Sequence, residues 1–137
     1  PLVGRQAGLL LADTTRYAEK QLFVAQCGVD PARIAAIGGI EARGVDLWAE
    51  RERVLDLLTE AGRDLLGAGR VQVLLLGCLS FLGLAHPLSE RLGVPVVDPA
   101  VAPVALAECL VRQGLKTSRK AYPTPPLRER TWQSGQL

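Results

Sequence analysis

The run VQVLLL at residues 71–76 is the most hydrophobic of four apolar runs in the 137-residue sequence, and GCLS follows it at residues 77–80. A short, uninterrupted apolar run is typical of a β-strand buried on both faces, as in a parallel sheet. An amphipathic helix predicted over residues 46–68 precedes this strand, with an apolar face formed by Leu47, Val54, Leu58, Ala61 and Leu65. A helix that leads into a buried strand indicates a βαβ arrangement.

The other three apolar runs predict strands at residues 7–12, 34–40 and 94–97. A helical pattern follows every one of the four runs. The helix after residues 7–12 lies between a cap at Asp13 and Thr14 and a closing Gly28, and the helix 46–68 follows the run 34–40. The helices after 71–76 and 94–97 cover about residues 82–92 and 103–113. Four alternations of strand and helix predict an α/β fold, a three-layer sandwich with a parallel sheet of about four strands. We assign this lobe to residues 1–114 and an extended tail to residues 115–137.

The composition excludes several classes of protein. Apolar residues make up 48% and charged residues 22% of the chain, which indicates a globular protein. The formal net charge is +2 and no basic stripe is present, so we expect no nucleic-acid partner. The apolar runs are too short for a membrane span and no export signal is evident, so we expect a cytoplasmic protein without membrane contact. Three widely spaced cysteines also suit a reducing compartment.

Ligands of open α/β sheets bind beyond the carboxyl ends of the strands. Cys78 is predicted to lie at such an end, just before a helix, and a thiol at a helix N-terminus is more acidic than a free thiol. The N–H groups at that helix start could also hold an oxyanion. The alternative is that Cys78 is a small buried core residue. Cys27 and Cys109 fit filler positions on helices, and Asp98 could reach the site or simply form a turn.

Several segments resemble racemases of the aspartate/glutamate/hydantoin kind. LLLGC at residues 74–78, LSERLGVPVVD at 88–98 and GLKTSRK at 114–120 are similar to the second cysteine segment and the C-terminal end of hydantoin racemases. GLLLA at residues 8–12, with Thr15, resembles the start of the second lobe of aspartate and glutamate racemases.

The resemblance implies two similar α/β lobes with the active site between them, one cysteine from each lobe, and no metal or cofactor. It implies a racemase or epimerase that inverts a carbon next to a carbonyl group of a small-molecule substrate. Two thiols on opposite faces of the substrate would remove and deliver the proton. On this basis Cys78 is the catalytic candidate, and the candidate substrate-binding residues are Thr14, Thr15, Gly77, Leu79 and Ser80.

The sequence departs from the family pattern in ways that shape these expectations. Only the second cysteine segment is present and the sequence has no methionine, so we expect a fragment or processed piece that either lacks an N-terminal lobe or forms a homo-oligomer. Ala12 replaces the first threonine of the second-lobe motif. Leu79 and Ser80 stand where glutamate racemases have Thr-His, which favours a hydantoin or a related ring as the substrate. Phe81, where hydantoin racemases often carry Met, suggests a somewhat different pocket.

Two other functions remain open from the sequence. One is a single-cysteine decarboxylase resembling arylmalonate decarboxylase, in which one thiol protonates the intermediate left by loss of carbon dioxide. The other is a non-catalytic α/β binding domain, in which Cys78 has no chemical role.

Overall fold

A four-stranded parallel sheet forms the centre of the computed structural model, which describes residues 3–42 and 44–125. Its strands are β1 (Ala7–Leu11), β2 (Ile34–Gly39), β3 (Val73–Leu76) and β4 (Val96–Val97), in the spatial order β2-β1-β3-β4. The two central strands, β1 and β3, lie side by side with Leu10 opposite Leu76. The carboxyl ends of both strands therefore meet at one edge of the sheet.

Four helices connect or follow these strands: α1 (Tyr17–Gln26), α2 (Arg51–Gly67), α3 (Ala85–Leu92) and α4 (Val101–Arg112). The step from β1 to β2 runs in one direction across the sheet, whereas the steps to β3 and then to β4 run in the other. Because crossovers between parallel strands are right-handed, α1 lies on one face of the sheet and α2 and α3 on the other. The predicted α/β sandwich with a parallel sheet is thus confirmed.

The hydrophobic core lies between the sheet and the pair α2 and α3. Its fully buried side chains are Leu10, Val54, Leu58, Leu74, Phe81 and Leu88. Burying one such side chain contributes about 1.5–3 kcal/mol. The apolar face predicted for the second helix is confirmed, since Val54, Leu58 and Leu65 are buried and Leu47 and Ala61 pack against the core.

Two predicted helix starts are wrong, for different reasons. The second helix begins at Arg51 and not at Asp46, because the Asp46 carboxylate accepts hydrogen bonds from the N–H groups of Trp48 and Ala49, both at 2.9 Å, and so caps a separate turn. The third helix begins at Ala85 and not at Leu82, since residues 79–81 form a separate 3₁₀ turn. Both ends agree within a residue with the prediction, and Gly93 caps α3 at a φ of +68°.

Helix α1 differs from the prediction in its packing. Its end agrees with the sequence, because Gly28 adopts a φ of +72° just beyond it. However, no residue of α1 is buried, and Leu22 and Phe23 are 60% and 58% exposed. Most apolar side chains of this helix are thus not covered by the described residues.

The chain divides into two compact units, Pro1–Ala105 and Leu106–Leu137. The first contains the whole sheet. The second contains the end of α4, then Gly114 at a φ of +69°, and a stretch to residue 125 without further helix or strand. The rest of the predicted tail, residues 126–137, lies outside the described residues. No helix in the described part of the chain is long and apolar enough to cross a membrane.

Candidate active site

The candidate site forms where the central strands β1 and β3 end. The two strands stay hydrogen-bonded to their last residues, and the N–H of Gly77 then donates to the carbonyl oxygen of Leu10 at 2.7 Å. A Cβ atom at position 77 would lie 3.0 Å from that oxygen and 2.9 Å from Cδ2 of Leu11. Position 77 therefore needs glycine to bring the chain this close to β1, and the next residue, Cys78, is held beside the end of β1.

Cys78 is half-buried, lines a small cleft at this edge of the sheet and also packs against the hydrophobic core. The cleft has a volume of about 110 Å³, and its walls are formed by Leu11, Ala12, Asp13, Arg16, Lys20, Gly77 and Cys78. A carboxylate and two cationic side chains thus surround the thiol. Of the predicted residues, Cys78 and Gly77 line this cleft together. Larger cavities, of about 320 Å³ against β2 and about 550 Å³ along β4, contain none of the predicted site residues.

The turn after Cys78 differs from the helix start expected from the sequence. Residues 79–81 form a 3₁₀ turn of three residues with Cys78 at its N-cap, and α3 begins only at Ala85. Three residues align few peptide dipoles, so the turn provides much less of the helix-dipole effect than a full helix. The first N–H groups of any helical turn still lack partners within the turn, and here these belong to Leu79 and Ser80.

Asp13, Thr14 and Thr15 organise the loop after β1. One oxygen of the Asp13 carboxylate accepts from the backbone N–H of Thr15 at 2.9 Å and from its hydroxyl at 2.6 Å. The Thr14 hydroxyl donates to the carboxylate of Glu41, which follows β2. Asp13 caps a 3₁₀ turn at residues 14–16 and not the helix α1, which begins at Tyr17, and Thr14 caps neither, so the predicted helix cap is confirmed only as a cap of this turn. Substrate binding by the two threonines stays a prediction, and neither lines the Cys78 cleft.

The loop from Cys78 to Leu84 mixes exposed and buried side chains. Leu79 and Leu82 are 67% and 40% exposed, and Ser80 is half-buried. Phe81 between them is completely buried and belongs to the core. Phe81 does not line the Cys78 cleft, and the expectation of a somewhat different pocket stays a prediction.

Two charged residues hold this loop: Arg51, which the sequence did not identify, and Asp98, for which the sequence left a site role and a turn open. Arg51, at the start of α2, donates to the carbonyl oxygens of Ser80, at 2.7 Å, and Leu82. Asp98, just after β4, accepts from the N–H of Gly83 at 2.8 Å. The position of Asp98 at a strand end could have identified it from the sequence. Nothing in the sequence distinguishes Arg51, because it lies among several charged residues of one helix.

Asp98 is nearly buried, with 9% of its surface exposed. Burial raises the pKa of its carboxyl group, but hydrogen bonds from the backbone N–H groups of Gly83, Ala100 and Val101 outweigh burial, and Arg51 adds a favourable charge, so that the pKa lies below its usual value. Asp98 is thus ionised near neutral pH. Its three backbone contacts make it a turn former that also fixes the Cys78 loop.

The other cysteines are not part of this cleft. Cys27 is exposed at the C-terminal end of α1, the end that lies toward the amino ends of the strands, and Cys109 is exposed on α4. Among the described residues, no group of three or more His, Cys, Asp or Glu side chains is placed to hold a metal ion.

The fold matches about half of two solved allantoin racemases. The chain superposes on the solved allantoin racemase from Pseudomonas fluorescens with a TM-score of 0.75 and 24% identity, covering 96% of this chain and 56% of that one. For the allantoin racemase from Klebsiella pneumoniae the TM-score is 0.79 at 22% identity, covering 96% of this chain and 54% of that one. The chain spans little more than half the length of either structure.

In sequence, the chain is a homologue of hydantoin racemases. It is 37% identical over 84 residues to the hydantoin racemase of Paenarthrobacter aurescens. The aligned segment covers 60% of this chain and 36% of that protein. It is 35% identical over 86 residues to the hydantoin racemase of Pseudomonas sp. (strain NS671), covering 62% and 34%. The matched segments thus span about a third of these curated relatives. No family model matches the chain.

Proposed function

We propose that the chain supplies one acid/base thiol, Cys78, to a cofactor-independent racemase or epimerase that acts at a carbon next to a carbonyl group. The observation that carries the proposal is the position of Cys78 in the wall of a cleft at the carboxyl ends of β1 and β3. Homology to hydantoin racemases supports a hydantoin or a related compound as the substrate.

The proposed chemistry is a proton transfer at each face of one carbon. The thiolate of Cys78 takes the proton, the C–H bond breaks, and its electron pair moves onto the carbonyl oxygen to form an enolate. A second acid then protonates the opposite face, which inverts the carbon, and the reverse reaction uses the same two groups in exchanged roles. In the proposal the N–H groups of Leu79 and Ser80 stabilise the enolate oxygen.

The dimensions of the cleft support a shared site. Small-molecule sites usually measure about 300–1,000 Å³, whereas the Cys78 cleft measures about 110 Å³. A cleft of this size can hold one side of a substrate. The proposal therefore assigns the other wall and the second thiol to a second lobe or to another protein chain, and the exposed Leu79 and Leu82 beside Cys78 suit such a neighbour.

The charges around the thiol support a small polar substrate. Arg16 and Lys20 contribute two positive charges to the cleft and Asp13 contributes one negative charge. Arg16 is also paired with Glu19, at 2.7 Å. Positive charge in the cleft favours a substrate that becomes negative in the transition state.

Deuterium exchange into enantiopure 5-benzylhydantoin tests the proposal. One thiol on one face should exchange the C5 proton of one enantiomer with solvent deuterium without inverting it, as followed by NMR and chiral chromatography. We expect the exchange to be lost in Cys78→Ser and kept in Cys109→Ser. Exchange that persists in Cys78→Ser contradicts the role of Cys78.

The same assay separates the proposal from the two alternatives. Rapid inversion by this chain alone would contradict the assignment of only one face to Cys78. Release of carbon dioxide from an arylmalonate, with no exchange into the hydantoin, would instead support the decarboxylase. Inactivity toward both compounds, with Cys78→Ser indistinguishable from the unmodified chain, would leave the non-catalytic domain.

A further inference from the structure

The backbone from Ser80 to Gly83 is hydrogen-bonded on two sides to side chains that are distant in sequence. On one side the Arg51 guanidinium donates through Nη1 to the carbonyl of Ser80, at 2.7 Å, and through Nη2 to that of Leu82. Nη1 also donates to the carbonyl of Leu47 at 3.2 Å, and the guanidinium carbon lies 5.2 Å from the centre of the Trp48 ring. Arg51 is thus fixed against the turn that precedes its helix while it holds the loop.

On the other side the Asp98 carboxylate holds the next residue of the loop. Its Oδ2 accepts from the N–H of Gly83 at 2.8 Å, while its Oδ1 accepts from Ala100 and Val101 at 2.9 and 3.1 Å. Gly83 adopts a φ of +82°, which turns the chain between the two charged groups. Together with the buried ring of Phe81, these contacts fix four successive residues of the loop.

We propose that Arg51 is a positioning residue for Cys78: its forked guanidinium holds the carbonyls of Ser80 and Leu82 and thereby sets the direction of the thiol. The inference rests on the proposed function for its catalytic meaning. A planar guanidinium donates in two fixed directions, whereas a lysine ammonium is a single point of charge, so lysine cannot hold two carbonyls in the same geometry.

The consequence for the site follows from the chain path. Cys78 is anchored before the thiol by the bond from Gly77 to Leu10, and its own carbonyl accepts from the N–H of Phe81 at 3.0 Å within the 3₁₀ turn, whose Ser80 carbonyl Arg51 holds. Without Arg51 the turn keeps its internal hydrogen bonds, the buried Phe81 ring and the contact with Asp98, but it loses the hold on the carbonyls of Ser80 and Leu82, so Cys78 and Leu79 can shift with the turn. The N–H groups of Leu79 and Ser80, proposed to hold the enolate oxygen, would move with them.

The test compares Arg51→Gln and Arg51→Lys with Arg53→Gln. Arg53 lies on the same helix and pairs with Glu50 at 2.7 Å, so its variant makes the same change of charge at a distance from the loop. Two readouts are needed: hydrogen exchange of the amides at residues 81–84, and the rate at which iodoacetamide alkylates Cys78 from pH 6 to pH 10, divided by its rate in the urea-unfolded chain. Neither readout requires turnover.

We expect Arg51→Gln to raise amide exchange at residues 81–84 by about ten-fold, the effect of losing hydrogen bonds from a charged donor. The alkylation profile of Cys78 should change, while those of Cys27 and Cys109 stay the same. Arg51→Lys should resemble Arg51→Gln in the loop although it keeps the charge, and it serves as the test if Arg51→Gln does not fold. Arg53→Gln should leave both readouts unchanged.

Two outcomes would overturn the inference. In the first outcome Arg51→Gln has a lower melting temperature, but its amide exchange and its Cys78 alkylation equal those of Arg53→Gln. This result would mean that Arg51 only stabilises the fold. The other is complete rescue by Arg51→Lys, which means that charge suffices and the fork is unimportant. Either can occur while Cys78 still exchanges the hydantoin proton, and the expected loop changes can occur without that exchange, so failures of the two proposals are distinguishable.

Discussion

The two loops that meet at the candidate site are held in different ways. The loop after β1 relies on contacts between near neighbours: Asp13 accepts from Thr15, and Arg16 pairs with Glu19. The loop after β3 relies on Arg51 and Asp98, which come from the start of another helix and the end of another strand. One loop is a local cap, joined to Glu41 through Thr14, and the other is built by the whole fold.

This difference separates what each loop can do. A local cap survives changes elsewhere in the fold, so the loop after β1 can carry exposed charges such as Arg16 into the cleft at small cost. A loop held by distant residues depends on the packing of β4, α2 and the core. The thiol at its start is therefore oriented by the tertiary structure, which is what a proton-transfer group needs.

The largest expected effect comes from the core contact under the second loop. Phe81→Ala removes a completely buried ring and should lower the free energy of unfolding by about 3–5 kcal/mol. The neighbouring Leu79→Ala, at a side chain that is 67% exposed, serves as the control and should change stability by less than about 0.5 kcal/mol. Urea unfolding followed by circular dichroism measures both. Similar losses in the two variants would show that the loop is not anchored in the core.

A smaller effect distinguishes the carboxylates of the two loops. Asp98 uses both oxygens, so Asp98→Asn places an NH₂ group against backbone N–H groups and should cost about 2 kcal/mol at pH 7. Asp13 is less buried than Asp98, and asparagine keeps the Oδ1 that accepts from Thr15, so Asp13→Asn should cost less than Asp98→Asn. Chemical denaturation at pH 7 measures the contrast. Equal losses in both variants would contradict it.

The Asp98 effect should also depend on pH. Since the pKa of Asp98 is lowered in the folded chain, its contribution to stability is fully present above the unfolded pKa of about 3.9 and is lost as the pH falls through the folded value. The difference between the unmodified chain and Asp98→Asn should therefore be constant from pH 5 to 7 and shrink below about pH 4. A difference that grows toward low pH would have the wrong sign.

Local patterns predicted much of the fold. The apolar runs located all four strands, Gly28 and Gly93 marked helix ends, and Asp13 was identified as a cap. These features depend on a few adjacent residues. The start of α2 was misplaced for the same reason: the apolar spacing continues back to Leu47, while the turn capped by Asp46 interrupts the helix.

The site could be predicted only as far as strand ends determine it. Gly77 and Cys78 follow a recognisable strand, and the register of β1 and β3 then brings them to Asp13. Arg51 and Asp98 act across long stretches of sequence, and nothing in the spacing of α2 distinguishes Arg51 from Arg53. The burial of Phe81 was missed because the 3₁₀ turn that points its ring into the core has no sequence pattern of its own.

The most direct test of the account is whether a hydantoin protects Cys78 from alkylation. Iodoacetamide labelling of the intact chain, with and without millimolar 5-benzylhydantoin, gives the rate at all three cysteines in one sample by mass spectrometry. Each cysteine is its own reference, so the greater exposure of Cys27 and Cys109 does not matter. The account predicts saturable slowing at Cys78 alone. No slowing at Cys78, or equal slowing at all three, would contradict a substrate site at this thiol.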